Sequence, residues 1–162
     1  MLVNENMINI NQLADYFIVS IDRDSGESLT NLKLQKLAYY SQAWHIAIYD
    51  SPLVEEEFEA WAHGPVSPTL YRRFSDYGFN AIPSSAIVTR PSELSAETTS
   101  YLEQVWARYG DIGAKALERL THSEDPWINA RKGYDPLDRS NETISKESMK
   151  EFYGAILKNA EE

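Results

Sequence analysis

The sequence predicts a mainly α-helical fold: one compact domain over residues 1–162 with a small two- or three-stranded β element. Three observations lead to this prediction. Apolar residues recur at helical spacing along most of the chain, and only one segment alternates as a strand does. A chain of 162 residues, 43% of them hydrophobic, is also large enough to bury one core.

The first two helices are predicted from capping residues and apolar spacing. Residues 8–21 show a helical repeat with Asn11 as a possible N-cap, and the polar residues 22–28 form a loop. Thr30 is the predicted N-cap of the second helix, which ends before Pro52. The stripe expected to face the core comprises Leu34, Leu37, Ser41, Trp44 and Ile48, whereas Lys33, Lys36 and Gln42 are expected to point away from it.

The strand-like segment is residues 57–62, which alternate polar and apolar side chains. Residues 86–89 are the best candidate for its pairing partner. A rigid turn over residues 63–68 follows the strand, and Ser67 caps a third helix with Pro68 in its first turn. Gly78 is the expected end of that helix.

The remaining chain predicts four more helices. Ser95 caps one whose apolar face ends at Tyr109, and another begins at about Ala114. Asp125 is the predicted cap of a short helix with Pro126 in its first turn, and residue 133 ends that helix. Ser145 opens the last helix, with apolar residues Met149, Phe152, Ile156 and Leu157.

Charge and composition bound the function. The formal net charge of −10 repels a nucleic-acid backbone and fits a basic protein partner, although solubility alone is the commoner reason for an acidic surface. No apolar run is long enough to span a bilayer, and the N-terminus has no secretory signal pattern. We therefore expect a cytoplasmic protein without a membrane association. The absence of cysteine excludes disulfides, thiol catalysis and thiolate metal sites.

No catalytic or metal-binding motif is present. The three histidines lack the spacing of a zinc helix, and adjacent glutamates in residues 55–59 would point to opposite faces of a strand. Nucleophile elbows and phosphate-binding glycine loops are also missing. The sequence thus predicts no enzyme activity, no catalytic residue, no metal and no cofactor.

The aromatic segment 30–78 has two open interpretations. Basic residues Lys33, Lys36, Arg72 and Arg73 with nearby aromatic rings make the best case for nucleic acid, opposed by the net charge. Alternatively, the proline-rich turn and exposed aromatic residues form a pre-organised protein-binding surface. From the residue types alone, the turn at residues 63–68 fits a simple connection between strand and helix as well as it fits a protein-binding interface. The candidate partner-binding residues are Tyr40, Trp61, His63, Gly64, Pro65, Tyr71 and Arg72.

A family resemblance favours the interface. Six motifs occur along the chain in this order: TNLKLQKL at residues 30–37, QAWH at 42–45, EAW at 59–61, HGPV at 63–66, LTH at 120–122 and DPW at 125–127. Together with residues 144–149, they span roughly residues 12–153, and the chain resembles the Panacea antitoxin domain family of SocA-like antitoxins and GepA-type phage-associated proteins.

The resemblance implies a bacterial or phage-borne antitoxin of a toxin–antitoxin system, of the kind associated with phage defence. It would neutralise a cognate toxin, encoded by the adjacent gene, through direct protein binding. The resemblance also implies an alternative mechanism, a proteolytic adaptor that delivers the toxin to a protease. A nucleic-acid-binding regulator of its own operon is a further alternative. Nucleic acid is the less expected partner, and the oligomeric state and the identity of the toxin stay open.

Overall fold

The structure is a computed structural model that describes residues 7–161, and a long helix, α2, runs through its centre. Residues 1–6 and residue 162 lie outside the described residues. The prediction that the N-terminus has no secretory signal concerns residues in this undescribed part. The helices are α1 (Ile10–Ser20), α2 (Asn31–Tyr49), α3 (Pro68–Phe74), α4 (Ala96–Tyr109), α5 (Ala114–His122), α6 (Asp125–Ala130) and α7 (Lys146–Glu161). Strands β1 (Glu59–Trp61) and β2 (Gly64–Val66) form an antiparallel hairpin. The predicted fold class is confirmed.

Side-chain caps set most of the helix starts at the predicted residues. The predicted caps that accept a first-turn N–H bond are Thr30, Ser67, Ser95 and Ser145. Helix α1 begins differently, because Asn9 and Gln12 form a reciprocal capping box and Asn11 lies inside the helix. The assignment of Asn11 as a cap was therefore wrong. The assignment of Asp125 as a cap was also wrong, because Asp125 is the first residue of α6 and Glu124 occupies the N-cap position without a side-chain hydrogen bond.

Helix α2 is buried on all sides, which contradicts the predicted single stripe. Fourteen of its nineteen residues are buried, because α7, α5, α4, α1 and the hairpin pack around it. Lys36 and Gln42, expected to point away from the core, are 0% and 1% exposed, whereas Ile48 is 43% exposed. Gln42 is satisfied by main-chain groups: its Oε1 accepts from Leu53 N and Val54 N, and its Nε2 donates to Val54 O.

The strand pairing differs from the prediction. Strand β1 pairs with β2 through a tight turn, and its outer edge is met by residues 142–144, with an isolated bridge from Glu59 to Thr143. The predicted partner, residues 86–89, lies elsewhere. Its amides at Val88 and Thr89 donate instead to Asp15 Oδ2, at 3.0 and 2.7 Å.

The core is rich in aromatic side chains. Tyr39, Tyr40, Tyr153 and Phe58 are essentially inaccessible and pack edge to face around α2. Between residues 7 and 161, no helix combines the length and the apolar character that crossing a bilayer requires.

Candidate partner-binding surface

The β1–β2 hairpin is seated directly on helix α2. Gly64 ends its turn with φ +108°, while the turn residues Ala62 and His63 keep negative φ. A Cβ placed on Gly64 would lie 2.5 Å from Lys36 Cε. Glycine is therefore required here by both the backbone angle and the close approach of α2.

Two polar side chains of α2 hold strand β2. Lys36 Nζ donates to Pro65 O at 3.1 Å, and Gln35 Oε1 accepts from Ser67 N at 2.9 Å. Burial lowers the pKa of the Lys36 ammonium to about 7, and the negative charge of Glu118 opposes this shift. The buried lysine thus anchors the hairpin and takes no part in a surface.

The opposite edge of β1 is held by α6 and the residues that follow it. Trp127 Nε1 donates to Trp61 O at 2.9 Å, and Arg131 Nη1 donates to Ala60 O at 2.9 Å. Ala60 N donates to Glu142 O at 2.8 Å. Both edges of the short strand are therefore fixed, so the residues at its turn are held in one arrangement.

Arg131 also organises the loop 131–142. Its guanidinium is 5% exposed, and Nη2 donates to the carbonyl oxygens of Asp135 at 2.9 Å and Asp138 at 2.8 Å. The Trp127 ring packs against it, with the guanidinium carbon 5.1 Å from the ring centroid. This loop projects Leu137, which is 89% exposed.

The structure brings together three of the predicted contact residues. The Trp61 and Tyr71 rings lie 5.0 Å apart at 59°, and Tyr71 is 41% exposed. The His63 side chain is 70% exposed, and its Nδ1 donates to Glu118 Oε1 at 2.7 Å. Arg72 lies on the exposed side of α3, next to Tyr71 in the chain, and forms no ion pair among the described residues.

The other three predicted contact residues are buried. Gly64 and Pro65 lie beneath the turn against α2, so they shape the hairpin without being accessible. Tyr40 was wrongly predicted at the surface: it is 0% exposed, its OH donates to Glu124 Oε1 at 2.6 Å, and it stacks on Tyr109 at 4.2 Å. Its hydroxyl finds a buried carboxylate partner, so the ring is fully enclosed without loss of a hydrogen bond.

A groove of about 840 Å³ runs between the hairpin turn and the Arg131-anchored loop. Trp61, Ala62 and His63 line one side, and Leu137 and Arg139 line the other. We define the hairpin surface as four residues that line this groove, Trp61, His63, Leu137 and Arg139, together with Tyr71, whose ring contacts Trp61, and the neighbouring Arg72. Sequence reasoning missed Leu137 and Arg139, because a lone leucine in a polar segment has no periodic context.

The basic patch suggested by the sequence does not assemble. Lys36 is buried, and Arg73 binds Asp15 through its guanidinium. Lys33 Nζ donates to Gly110 O at 2.6 Å. Of the four cations only Arg72 is exposed. The part of the chain from residue 7 to 161 also contains no group of three or more His, Cys, Asp or Glu side chains arranged to hold a metal.

Comparison with known proteins gave two matches. The model of the family "Antitoxin SocA-like, Panacea domain" matches residues 34–128. A protein named Antitoxin SocA from Caulobacter vibrioides (strain NA1000 / CB15N) is 33% identical over 111 residues, which cover 61% of this chain and 58% of that protein. The chain thus spans somewhat over half the length of the curated relative that it matches. No solved structure gave a significant match.

Proposed function

Because the chain belongs to the SocA-like Panacea domain family of antitoxins, we propose that it neutralises a toxin by binding it directly through the hairpin surface. The toxin would be the product of the adjacent gene in a bacterial or phage toxin–antitoxin system. The proposal places the protein in the cytoplasm and assigns it no catalytic step.

One observation carries the proposal: half-buried Trp61 on the anchored hairpin and exposed Tyr71 on the following helix α3 form one aromatic pair at the surface. Trp61 and Tyr71 make ring contact, and exposed Leu137 lies across the groove from Trp61. Tyrosine and tryptophan dominate the energetic anchors of protein interfaces. A surface held in place before binding loses less entropy when the partner arrives.

The charge distribution favours a protein partner over nucleic acid. Three of the four cations in the aromatic segment are buried or engaged inside the protein, which removes the positive stripe that phosphate contacts need. Leu137 and Arg139 follow the last residue matched by the family model. We propose that these two residues help to select this chain's particular toxin.

Replacing Tyr71 by alanine tests the proposal. The side chain is 41% exposed, so the fold should persist, while affinity for the toxin should fall by about 2 kcal/mol, or roughly 30-fold in Kd. Phe79, which is 97% exposed and is not part of the hairpin surface, supplies the matched control Phe79→Ala. Calorimetric titration with the purified adjacent-gene product gives both affinities.

Growth rescue on co-expression completes the test. The Tyr71→Ala variant should rescue cells from the toxin less well than the wild type and Phe79→Ala. Equal affinity and equal rescue by all three proteins would exclude the hairpin surface. Toxin that disappears in normal cells and reappears in protease-deficient cells would indicate the adaptor mechanism instead of direct neutralisation.

A further inference from the structure

A second concave site lies at the far end of α2, where that helix meets the start of α4. It encloses about 430 Å³, and the residues that give it chemical character are His45, Tyr49, Ser51, Glu97 and Tyr101. None of the hairpin-surface residues lines it. The pocket is therefore a separate feature of the molecule.

Three rings form the wall of this pocket. The imidazole of His45 lies 4.8 Å from the Tyr49 ring and 5.3 Å from the Tyr101 ring, and the two tyrosine rings are 5.9 Å apart. Tyr49 is 56% exposed and Tyr101 is 6% exposed. The tyrosines thus present an aromatic surface that runs from solvent into the protein. Aromatic faces carry negative electrostatic potential and attract cations.

The hydrogen bonds around His45 determine what the pocket can bind. His45 Nδ1 lies 2.6 Å from Ser51 O, and a carbonyl oxygen only accepts, so Nδ1 carries the proton. Burial lowers the pKa of His45, which keeps the ring neutral at pH 7. Its Nε2 then holds a lone pair, and among the described residues the only hydrogen bond of the ring is the one that Nδ1 makes to Ser51 O. Tyr101 OH already donates to Ser41 O at 2.6 Å.

The formal charge on the side chains that line this pocket is negative. Glu97 is exposed at the rim and is the only lining residue with a formal charge, because the neutral His45 carries none. The imidazole lone pair and the carboxylate are both acceptors, and the net charge of −10 adds a long-range attraction for cations. A group with several N–H donors, a positive charge and a flat shape matches these features.

We propose that this pocket binds the guanidinium group of an arginine side chain presented by a partner protein. The guanidinium is planar and stacks on aromatic rings, and its five N–H donors can serve His45 Nε2 and the Glu97 carboxylate together. An ammonium group has the charge but lacks the flat face. The site does not depend on the hairpin surface, so either assignment can fail alone.

The test uses the purified full chain and methylguanidinium chloride, followed by NMR. The His45 and Tyr101 ring resonances should shift saturably, with half-saturation at roughly 30–200 mM, as one exposed cation–π contact and one screened ion pair allow. Sodium chloride at equal ionic strength should produce no saturable shift, and n-propylammonium chloride should bind more weakly. An equal response to all three salts would overturn the proposal.

Two substitutions locate the binding. Glu97→Gln and Tyr49→Ala alter exposed side chains and should each weaken methylguanidinium binding by about 2- to 5-fold. Glu103→Gln, an exposed glutamate of the same helix outside the pocket, is the matched control and should leave binding unchanged. An unaltered affinity for Glu97→Gln, or an equal loss for Glu103→Gln, would refute the assignment.

A last comparison identifies the source of the guanidinium. N-acetyl-arginine methylamide, which imitates an arginine within a protein, should bind as tightly as free arginine. Free arginine that binds more than tenfold tighter would show that its α-amino and α-carboxyl groups are recognised. The pocket would then be a small-molecule site, and the assignment to a protein side chain would be wrong.

Discussion

Replacing Gly64 by alanine perturbs the contact between the hairpin and α2 at its closest point. Two costs add. A residue with a Cβ at φ +108° is strained by about 1–3 kcal/mol. The new Cβ would also lie 2.5 Å from Lys36 Cε, and because Lys36 is 0% exposed it cannot move aside freely, which adds overpacking of about 1–3 kcal/mol. We expect a total loss of about 2–6 kcal/mol in the free energy of unfolding.

Urea unfolding followed by circular dichroism measures this loss, and Gly133→Ala is its matched control. Gly133 has φ +90° and no atom within 4 Å of its ideal Cβ, so its substitution reports backbone strain alone. The difference between the two variants reports the contacts of the new Cβ with Lys36 and with Thr121 Oγ1, which lies 3.0 Å away. In a Lys36→Ala background, the cost of Gly64→Ala should fall toward that of Gly133→Ala, with the Thr121 contact as the remainder. Equal costs for Gly64→Ala with and without Lys36 would refute the reasoning.

Two further predictions concern buried charges. Asp15→Asn removes the carboxylate that accepts from Val88 N, Thr89 N and Arg73. We expect the free energy of unfolding in urea to fall by about 3–5 kcal/mol, whereas the control Asp76→Asn, at an exposed position, should change it almost not at all. A loss below about 1 kcal/mol for Asp15→Asn would contradict this prediction. The Lys36 pKa of about 7 lies below the ordinary 10.5, so the unfolded chain binds one more proton between these values. Stability should therefore rise from pH 7 to 9, by up to about 1.4 kcal/mol per pH unit, relative to Lys36→Met. Parallel pH profiles for the two proteins would show that folding does not lower the pKa of this lysine.

Capping residues and apolar spacing predicted those features of the fold that depend on residues near one another in the chain. Thr30, Ser67 and Ser95 begin helices because a side-chain oxygen and a backbone N–H three residues later suffice to define a start. The order of elements and the mainly helical class follow from such signals. The pairing of β1 was not predictable in this way, because the residues of β2 include Pro65, which donates no ladder hydrogen bond.

Burial around α2 was the main failure of sequence reasoning. An amphipathic helix has one apolar stripe, but α2 is enclosed on all sides, and its polar residues Gln35, Lys36 and Gln42 serve buried main-chain groups. The same enclosure buries Tyr40. Polar residues in the central helix of a bundle resemble a solvent face in sequence, and only the position of the other helices distinguishes the two cases.

The sequence predicted the part of the candidate site that lies within one segment of the chain and missed the part that a distant segment contributes. Trp61, His63 and Tyr71 lie close together in the chain, so their proximity is a property of one hairpin and the helix that follows. Leu137 reaches the groove from a distant segment through the contacts of Arg131. No local pattern contains that information.

The anchoring of the loop around Arg131 has a consequence for how such a protein can diversify. The guanidinium is satisfied by the main-chain oxygens of Ala60, Asp135, Pro136 and Asp138. Every residue type supplies a main-chain oxygen, so substitutions at Leu137 leave the anchor unchanged. The sequence of this loop can therefore vary over evolution while the Arg131 side chain preserves its shape.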